Sequence, residues 1–410
     1  MAVAGSNDAG SNDAGSNDRE RFGRGLLPAF ALAPDVAHLN HGAYGAPPLA
    51  VLREAERIRA EVERDPTAFM ERRYRPLLRE AAARIGGLIG AAGPNIAMVE
   101  NATLGVNAVL RNLDFAPGDE ILLTDQTYGA VRNTVRYVAA RSGATVVTVA
   151  VPFPAADPEA IRAAFAPHIG PRLKLAVIDH ATSPTALVLP VADLVRMVRA
   201  GSDALILVDG AHAPGMLPID VGAIGADWYT GNCHKWLFAA KGCAFLWASD
   251  GVREATHPLV ISHGFEQGFE AEFDWVGTRD AAAQFALGTA LDFRERFGDL
   301  AIRSHNHDLV TAGGDLLAQA WGTECGASHA LCGAMQTVRL PDGFDPDPDA
   351  VLALRQALLD RFAVQVPIRL LAGALRARIS AQIYNGIDDY ERLAEAVLQL
   401  AAERRAGRRF

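Results

Sequence analysis

Two residues 26 positions apart suggest a reaction before any fold is considered. Asp209 closes the apolar run Leu205–Val208 within Val208-Asp209-Gly210-Ala211-His212, and Lys235 follows in Gly231-Asn232-Cys233-His234-Lys235-Trp236. A carboxylate at the C-terminal end of a buried strand and a lysine in a nearby Gly/Asn-rich turn meet the two demands of pyridoxal phosphate chemistry. The lysine forms the Schiff base with the cofactor aldehyde. The carboxylate keeps the pyridine nitrogen protonated, so that the ring accepts electrons from the substrate Cα. For Asp209 taken alone, a solvated strand-end turn is an equal reading, because Asp-Gly is a common turn dipeptide. Lys235 is harder to leave on a surface. A strand precedes it, Trp236-Leu237-Phe238 follow it, and lysine is rarely buried without a partner or a task.

Other groups could complete such a site. Asn101-Ala102-Thr103 opens an apolar-periodic helix, whose free first-turn N–H groups and positive end can hold a dianion; a plain N-cap serves equally for Asn101 alone. Near the C-terminus, Leu375, Ala377, Ile379 and Ala381 alternate with Arg376, Arg378 and Ser380, placing the arginines on one strand face, turned from the core or toward a cleft. A planar guanidinium there would grip a carboxylate in bidentate fashion, although most arginines are simply exposed. His41 in a Gly-rich turn and His180 at a strand end each also read as part-buried structural histidines, and His263 lies in a Gly-rich stretch.

These residues need an α/β scaffold. The pattern predicts helices at 49–63, 74–90, 103–112, 129–142, 157–167 and 191–200, with strands Glu120–Thr124, Thr145–Val151, Leu173–Asp179, Ala204–Val208, Trp228–Thr230 and Ala244–Trp247 between and after them. Runs this apolar suit buried, largely parallel strands. A long helical stretch from Ala281 to about Phe297 and a helix to about Ala320 lead into a different rhythm. There we expect strands Gln336–Leu340, Ala363–Val366 and Ala374–Ala381 and helices Asp349–Arg361 and Asp388–Arg405, a smaller α+β domain.

At 410 residues the chain exceeds the ~250–300 residues at which single cores stop growing, so two domains are expected. The division falls into a large domain at 40–295 and a small one built from 21–39 and 296–410. Residues 1–20 hold three Ala-Gly-Ser-Asn-Asp repeats and read as a disordered tail, not as a signal peptide. The net charge of −9 and the lack of long basic runs argue against nucleic acid. No apolar run of ~18 residues predicts a membrane span. The four cysteines form no CxxC and no zinc-type spacing, so no metal or disulfide framework is expected, and the cytoplasm is the expected home.

Eight motifs in fixed order carry a resemblance over about residues 37–410: Leu39-Asn40-His41-Gly42-Ala43-Tyr44-Gly45, Asn101-Ala102-Thr103, Tyr128-Gly129-Ala130, His180-Ala181-Thr182-Ser183-Pro184-Thr185, Val208-Asp209-Gly210-Ala211-His212-Ala213, His234-Lys235-Trp236, Gly277-Thr278-Arg279-Asp280, and Arg378-Ile379-Ser380 with Tyr384-Asn385. The chain resembles the class-V aminotransferase superfamily of fold-type I pyridoxal phosphate enzymes, and within it the isopenicillin N epimerase-like group. The resemblance implies a mainly parallel seven-stranded sheet with a smaller C-terminal α+β domain. It implies that Lys235 is the Schiff-base lysine, that Asp209 pairs with the pyridinium, and that Tyr128 stacks on the ring. His212, with Ser183, would neighbour the phenolic oxygen. Asn101, Ala102, Thr103, Asn232 and His234 would hold the phosphate, and Thr278 would reach the phosphate of a neighbouring subunit, making a homodimer with shared active sites. Arg378 would bind the substrate carboxylate, with His41 and Tyr44 beside the substrate.

Two departures matter. The desulfurase branch has serine where Asn232 stands, and it carries a mobile-loop cysteine, whereas no cysteine follows Cys332 here. The latter argues against persulfide transfer. The expected activity is epimerisation or racemisation of an α-amino acid through a Cα carbanion, with Lys235 as acid/base. The alternative is Cβ–S cleavage of S-substituted cysteines, of the ergothioneine-pathway or S-conjugate type, and a class-V transamination is the third reading. A non-catalytic binding protein would have eroded Lys235, Asp209 or Arg378, and all three are present.

Overall fold

A computed structural model describes residues 22–155 and 157–408; the repeat tail expected over 1–20 lies outside the described residues. A short strand β1 (Ala37–His38) precedes a central sheet formed by β2 (Ile96–Val99), β3 (Glu120–Thr124), β4 (Thr145–Val149), β5 (Leu173–Asp179), β6 (Leu205–Asp209), β7 (Trp228–Asn232) and β8 (Ala244–Ala248). Its seven strands run in the order β2-β8-β7-β6-β5-β3-β4, parallel from β7 through β4, with β8 antiparallel to both neighbours. Side chains alternate across this sheet. Ile206 and Val208 of β6 join one apolar cluster and Leu207 the other, so both faces are buried beneath helices, as a parallel sheet requires.

The helices match the predicted order: Leu49–Arg64, Tyr74–Ile89, Ala102–Asn112, Gly129–Ser142, Pro158–Phe165 and Val191–Gly201. The stretch expected as one helix from Ala281 is broken into Ala282–Phe285 and Leu287–Glu295 before the 23-residue helix Asp299–Trp321. Beyond it, β9 (Met335–Arg339), β10 (Val364–Gln365), β11 (Ile368–Leu371) and β12 (Ala374–Ser380) appear with the helices Pro348–Phe362 and Ile387–Arg405. The order β11-β12-β9 forms an antiparallel sheet, and β10 pairs with β1. Ala37 and Leu39 therefore share an apolar cluster with Val338, Ala377, Ile379 and Leu393, far along the chain. Among the described residues no helix is long and apolar enough to cross a membrane.

The site is placed by aligned strand ends. Asp179 and Asp209 are register partners at the carboxyl ends of β5 and β6, and Asp209 is opposite Thr230 of β7. Open α/β sheets bind ligands at such ends.

Candidate active site

A cavity of about 440 Å³ opens over those ends, and the expected residues converge on it. Asn101, Ala102, Thr103, Tyr128, Ser183, Asp209, His212, Asn232, His234, Lys235, Arg378 and Tyr44 all line it. Two do not. His41 is buried beside the cavity, with Nδ1 2.8 Å from the Tyr384 hydroxyl and Nε2 2.7 Å from the Lys235 carbonyl, so it is no direct substrate neighbour in this chain. Thr278 lies exposed in a separate groove with Tyr74, Arg279 and Phe285. His180 also stands apart, its Nδ1 2.8 Å from the Tyr229 hydroxyl, which fits the structural reading.

Lys235 sits on a four-residue helix, Cys233–Trp236, directly after β7. Burial lowers its amine, Asp209 opposes this by attraction and Arg378 adds a smaller repulsion, which together bring it from 10.5 to about 7. Its Nζ lies 3.0 Å from His212 Nε2. Burial, first, and then Lys235 and Arg378 hold the His212 imidazole well below its ordinary value. The ring is therefore neutral, and its Nδ1 is a buried atom with no hydrogen-bond partner among the described residues.

Asp209 is buried and accepts from the Ala211 amide at 3.0 Å. Burial raises its carboxyl, while the Ala211 bond and the Lys235 charge lower it. The sequence reading missed its neighbour Asp179, which also lines the cavity, is 2% exposed, and accepts from the Thr127 hydroxyl at 2.8 Å. Burial and repulsion from Asp209 push Asp179 up to about 8. Asp209, attracted by Lys235, is thus the carboxylate of the pair and Asp179 the neutral acid. The signal was available: both acids end apolar runs at matching positions.

At the other wall, the Asn101 side chain caps its helix through the Leu104 amide at 3.0 Å, and Asn232 Oδ1 accepts from the Ala102 amide at 2.9 Å. Two of the first-turn donors expected to be free are therefore engaged, and the amide and hydroxyl of Thr103 remain. Asn232 keeps its Nδ2 as a donor. His234 Nδ1 is 3.0 Å from the Cys243 carbonyl, and burial lowers the ring to about 4. Its Nε2 is then bare near neutrality and donates only once protonated, a change that a neighbouring dianion favours.

Arg378 reaches the cavity from β12. It is 3% exposed and donates to the Ser183 carbonyl, with Asn40 Oδ1 3.4 Å away. Burial and repulsion from Arg369 lower it to about 10, and Arg369, which sequence reasoning passed over, lines the same wall. Arg376 does not reach the cavity: it pairs with Glu324 at 2.6 Å and lies over the Phe153 ring. Tyr128 is 47% exposed beside the cavity, an orientation suited to stacking.

This arrangement fits pyridoxal phosphate. An amine kept partly neutral, a buried carboxylate facing it, an unpartnered imidazole nitrogen, a helix start with a free amide, and a half-exposed aromatic ring are the groups the cofactor would need.

The comparisons agree. The family model Aminotransferase class-V matches residues 49–354. A putative L-cysteine desulfhydrase of Oryza sativa subsp. japonica is 37% identical over 404 residues, covering 90% of this chain and 84% of that protein. An isopenicillin N epimerase of Amycolatopsis lactamdurans is 33% identical over 391 residues, covering 90% and 96%. The solved structure of a C-DES mutant with glycine covalently linked to its PLP cofactor superposes with a TM-score of 0.76 at 22% identity, covering 92% of this chain and 98% of that one, a likeness of fold. The chain therefore belongs to the class-V aminotransferase family of pyridoxal phosphate-dependent enzymes.

Proposed function

We propose that the protein cleaves the Cβ–S bond of cysteine or an S-substituted cysteine, with Lys235 as its single proton-transfer base. The observation that supports this reading is that Lys235 is the one amine lining the cavity beside Asp209, while His41 is engaged behind the cavity by Tyr384 and the Lys235 carbonyl. An epimerase must remove a proton on one face of Cα and return one on the other. An eliminating lyase needs one base.

Bound in this cavity, pyridoxal phosphate supplies an electron sink for the bonds of the substrate Cα. The chain's residues do the rest. Arg378 holds the α-carboxylate through its remaining N–H donors. Asp209 offers a fixed negative charge beside Lys235. Lys235, its amine lowered by burial, takes the proton from Cα and can pass one to the leaving sulfur, while His212, 3.0 Å from Nζ, orients it. The overall change is substrate plus water giving thiol, pyruvate and ammonium. In this reading residues 40–295 form the cofactor domain, 21–39 and 296–410 supply Arg378, and two copies share their sites through Thr278.

Epimerisation is the second reading, supported by the 33% identity to the Amycolatopsis lactamdurans epimerase. The test incubates purified holoenzyme with L-cysteine and S-alkyl cysteines in deuterated water. Release of thiol, pyruvate and ammonium supports the lyase. Deuterium at Cα of an otherwise intact substrate, with both configurations formed and no ammonium, refutes it.

A further inference from the structure

His41 lies outside the cavity and yet touches the segments that bear both of its principal cations. Its Nε2 is 2.7 Å from the Lys235 carbonyl, and its Nδ1 is 2.8 Å from the Tyr384 hydroxyl. The first distance requires a hydrogen on Nε2, so Nδ1 accepts from Tyr384. Gln382 Nε2 packs 3.1 Å from the same Nε2, and its amide is fixed because Oε1 accepts from Asn306 Nδ2 at 3.1 Å and from the Ile383 amide at 2.9 Å. Burial lowers His41 to about 4, which keeps the ring neutral throughout the neutral range.

The contact answers a structural need. A four-residue helix cannot bond its own last carbonyls, and Lys235 stands in that last turn. The start of the helix is held by the Cys243 carbonyl, which accepts from the amides of Cys233 and His234 at 3.0 and 3.1 Å. His41 holds the other end. Its own segment packs closely there, since a Cβ on Gly45 would collide with the His234 carbonyl. Beyond His41, Tyr384 and Gln382 follow β12 directly, and the Ser380 amide donates to the Leu39 carbonyl at 3.0 Å, two residues from Arg378.

We propose that His41 is a positioning residue that ties the Lys235 main chain to the segment following Arg378, and so sets the spacing between amine and guanidinium. This rests on the roles given above to Lys235 and Arg378. The coupling runs through repulsion: Arg378 lowers the Lys235 amine, with Asp209 and His212 as the other groups facing it.

The test compares His41→Gln, which keeps a donor at the Nε2 position, with His41→Asn and Tyr384→Phe. One readout is the pH dependence of covalent cofactor capture by apoprotein, which follows the neutral fraction of Lys235. A second is the dissociation constant of a carboxylate inhibitor relative to its decarboxylated analogue. His41→Asn should move the capture midpoint upward by about one pH unit and cut the carboxylate preference about tenfold, the loss typical of one unmade bond to a buried group. Tyr384→Phe should move both the same way by less, and His41→Gln should stay near wild type. On an Arg378→Ala background, His41→Asn should add no midpoint shift. An unchanged midpoint and preference in His41→Asn would overturn the proposal, as would equal defects in His41→Gln and His41→Asn. If cofactor capture by wild-type apoprotein does not modify Lys235, the site reading itself fails, independently of His41.

Discussion

Replacing Asp179 by Asn probes the electrostatics of the cavity floor without changing its shape. The Asn carbonyl can take over the Thr127 hydroxyl bond that Asp179 Oδ2 accepts at 2.8 Å, and its amide replaces the acid O–H. Burial and the Asp209 charge raise Asp179 from 3.8 to about 8 in the folded protein. An acid raised on folding contributes stability that is intact below its unfolded value and is lost as pH climbs toward the folded one. Between pH 4 and 8 the folded chain binds one proton that the unfolded chain does not. This group therefore lowers stability by ~1.4 kcal/mol per pH unit across that window. The Asn variant lacks the term. Apoprotein of both forms should be unfolded in denaturant at pH 5 and pH 8, with circular dichroism as the probe. Between those two pH values the variant should gain ~4 kcal/mol relative to wild type. Parallel stability curves would refute the reasoning and show Asp179 to be ionised at pH 5.

Borohydride reduction of the holoenzyme should leave the pyridoxyl label on Lys235, and mass spectrometry finding it on Lys174 or Lys241, the only other lysines, would sink the site. Arg378→Ala should weaken binding of carboxylate-bearing substrates by ~1.5–3 kcal/mol, measured as KM or inhibitor binding; an equal loss with a decarboxylated analogue would contradict the role. Lys235→Ala mixed with Thr278→Ala under subunit exchange should recover part of the activity, because one site of each mixed dimer then has both residues. No recovery despite proven exchange would remove Thr278 from a shared site.

The central sheet and its helices were legible where apolar runs and turn residues coincide. Glu120–Thr124 and Leu173–Asp179 match β3 and β5 at both ends, and the helix at 129–142 matches as well. β7 runs two residues past its expected end because β8 returns antiparallel beside it, pairing Gly231 with Phe245 and Asn232 with Ala244, an assignment no local pattern carries. β2 went unread, being four residues that gain their identity only at the edge against β8. The residues that line the cavity were readable because they stand next to strand ends or helix starts. What escaped depends on register and orientation. Asp179 faces Asp209 through strand pairing, Arg369 reaches the cavity from β11, and His41 turns its ring away from the cavity toward Tyr384.

The environment also sorts the titratable groups of the cavity by pH. His212 and His234 are held neutral by burial, and Asp209 remains the carboxylate that Lys235 attracts. Two groups cross over near neutrality: Lys235 at about 7 and Asp179 at about 8. Below the first midpoint the amine is mostly cationic and cannot take a proton from carbon. Above the second, a new negative charge arises beside Asp209. Between the two midpoints the cavity holds a neutral amine, a single carboxylate and a protonated neighbour. Burial creates this state by opposing the charge on both Lys235 and Asp179. Arg378, itself buried, adds the repulsion that keeps the amine on the neutral side.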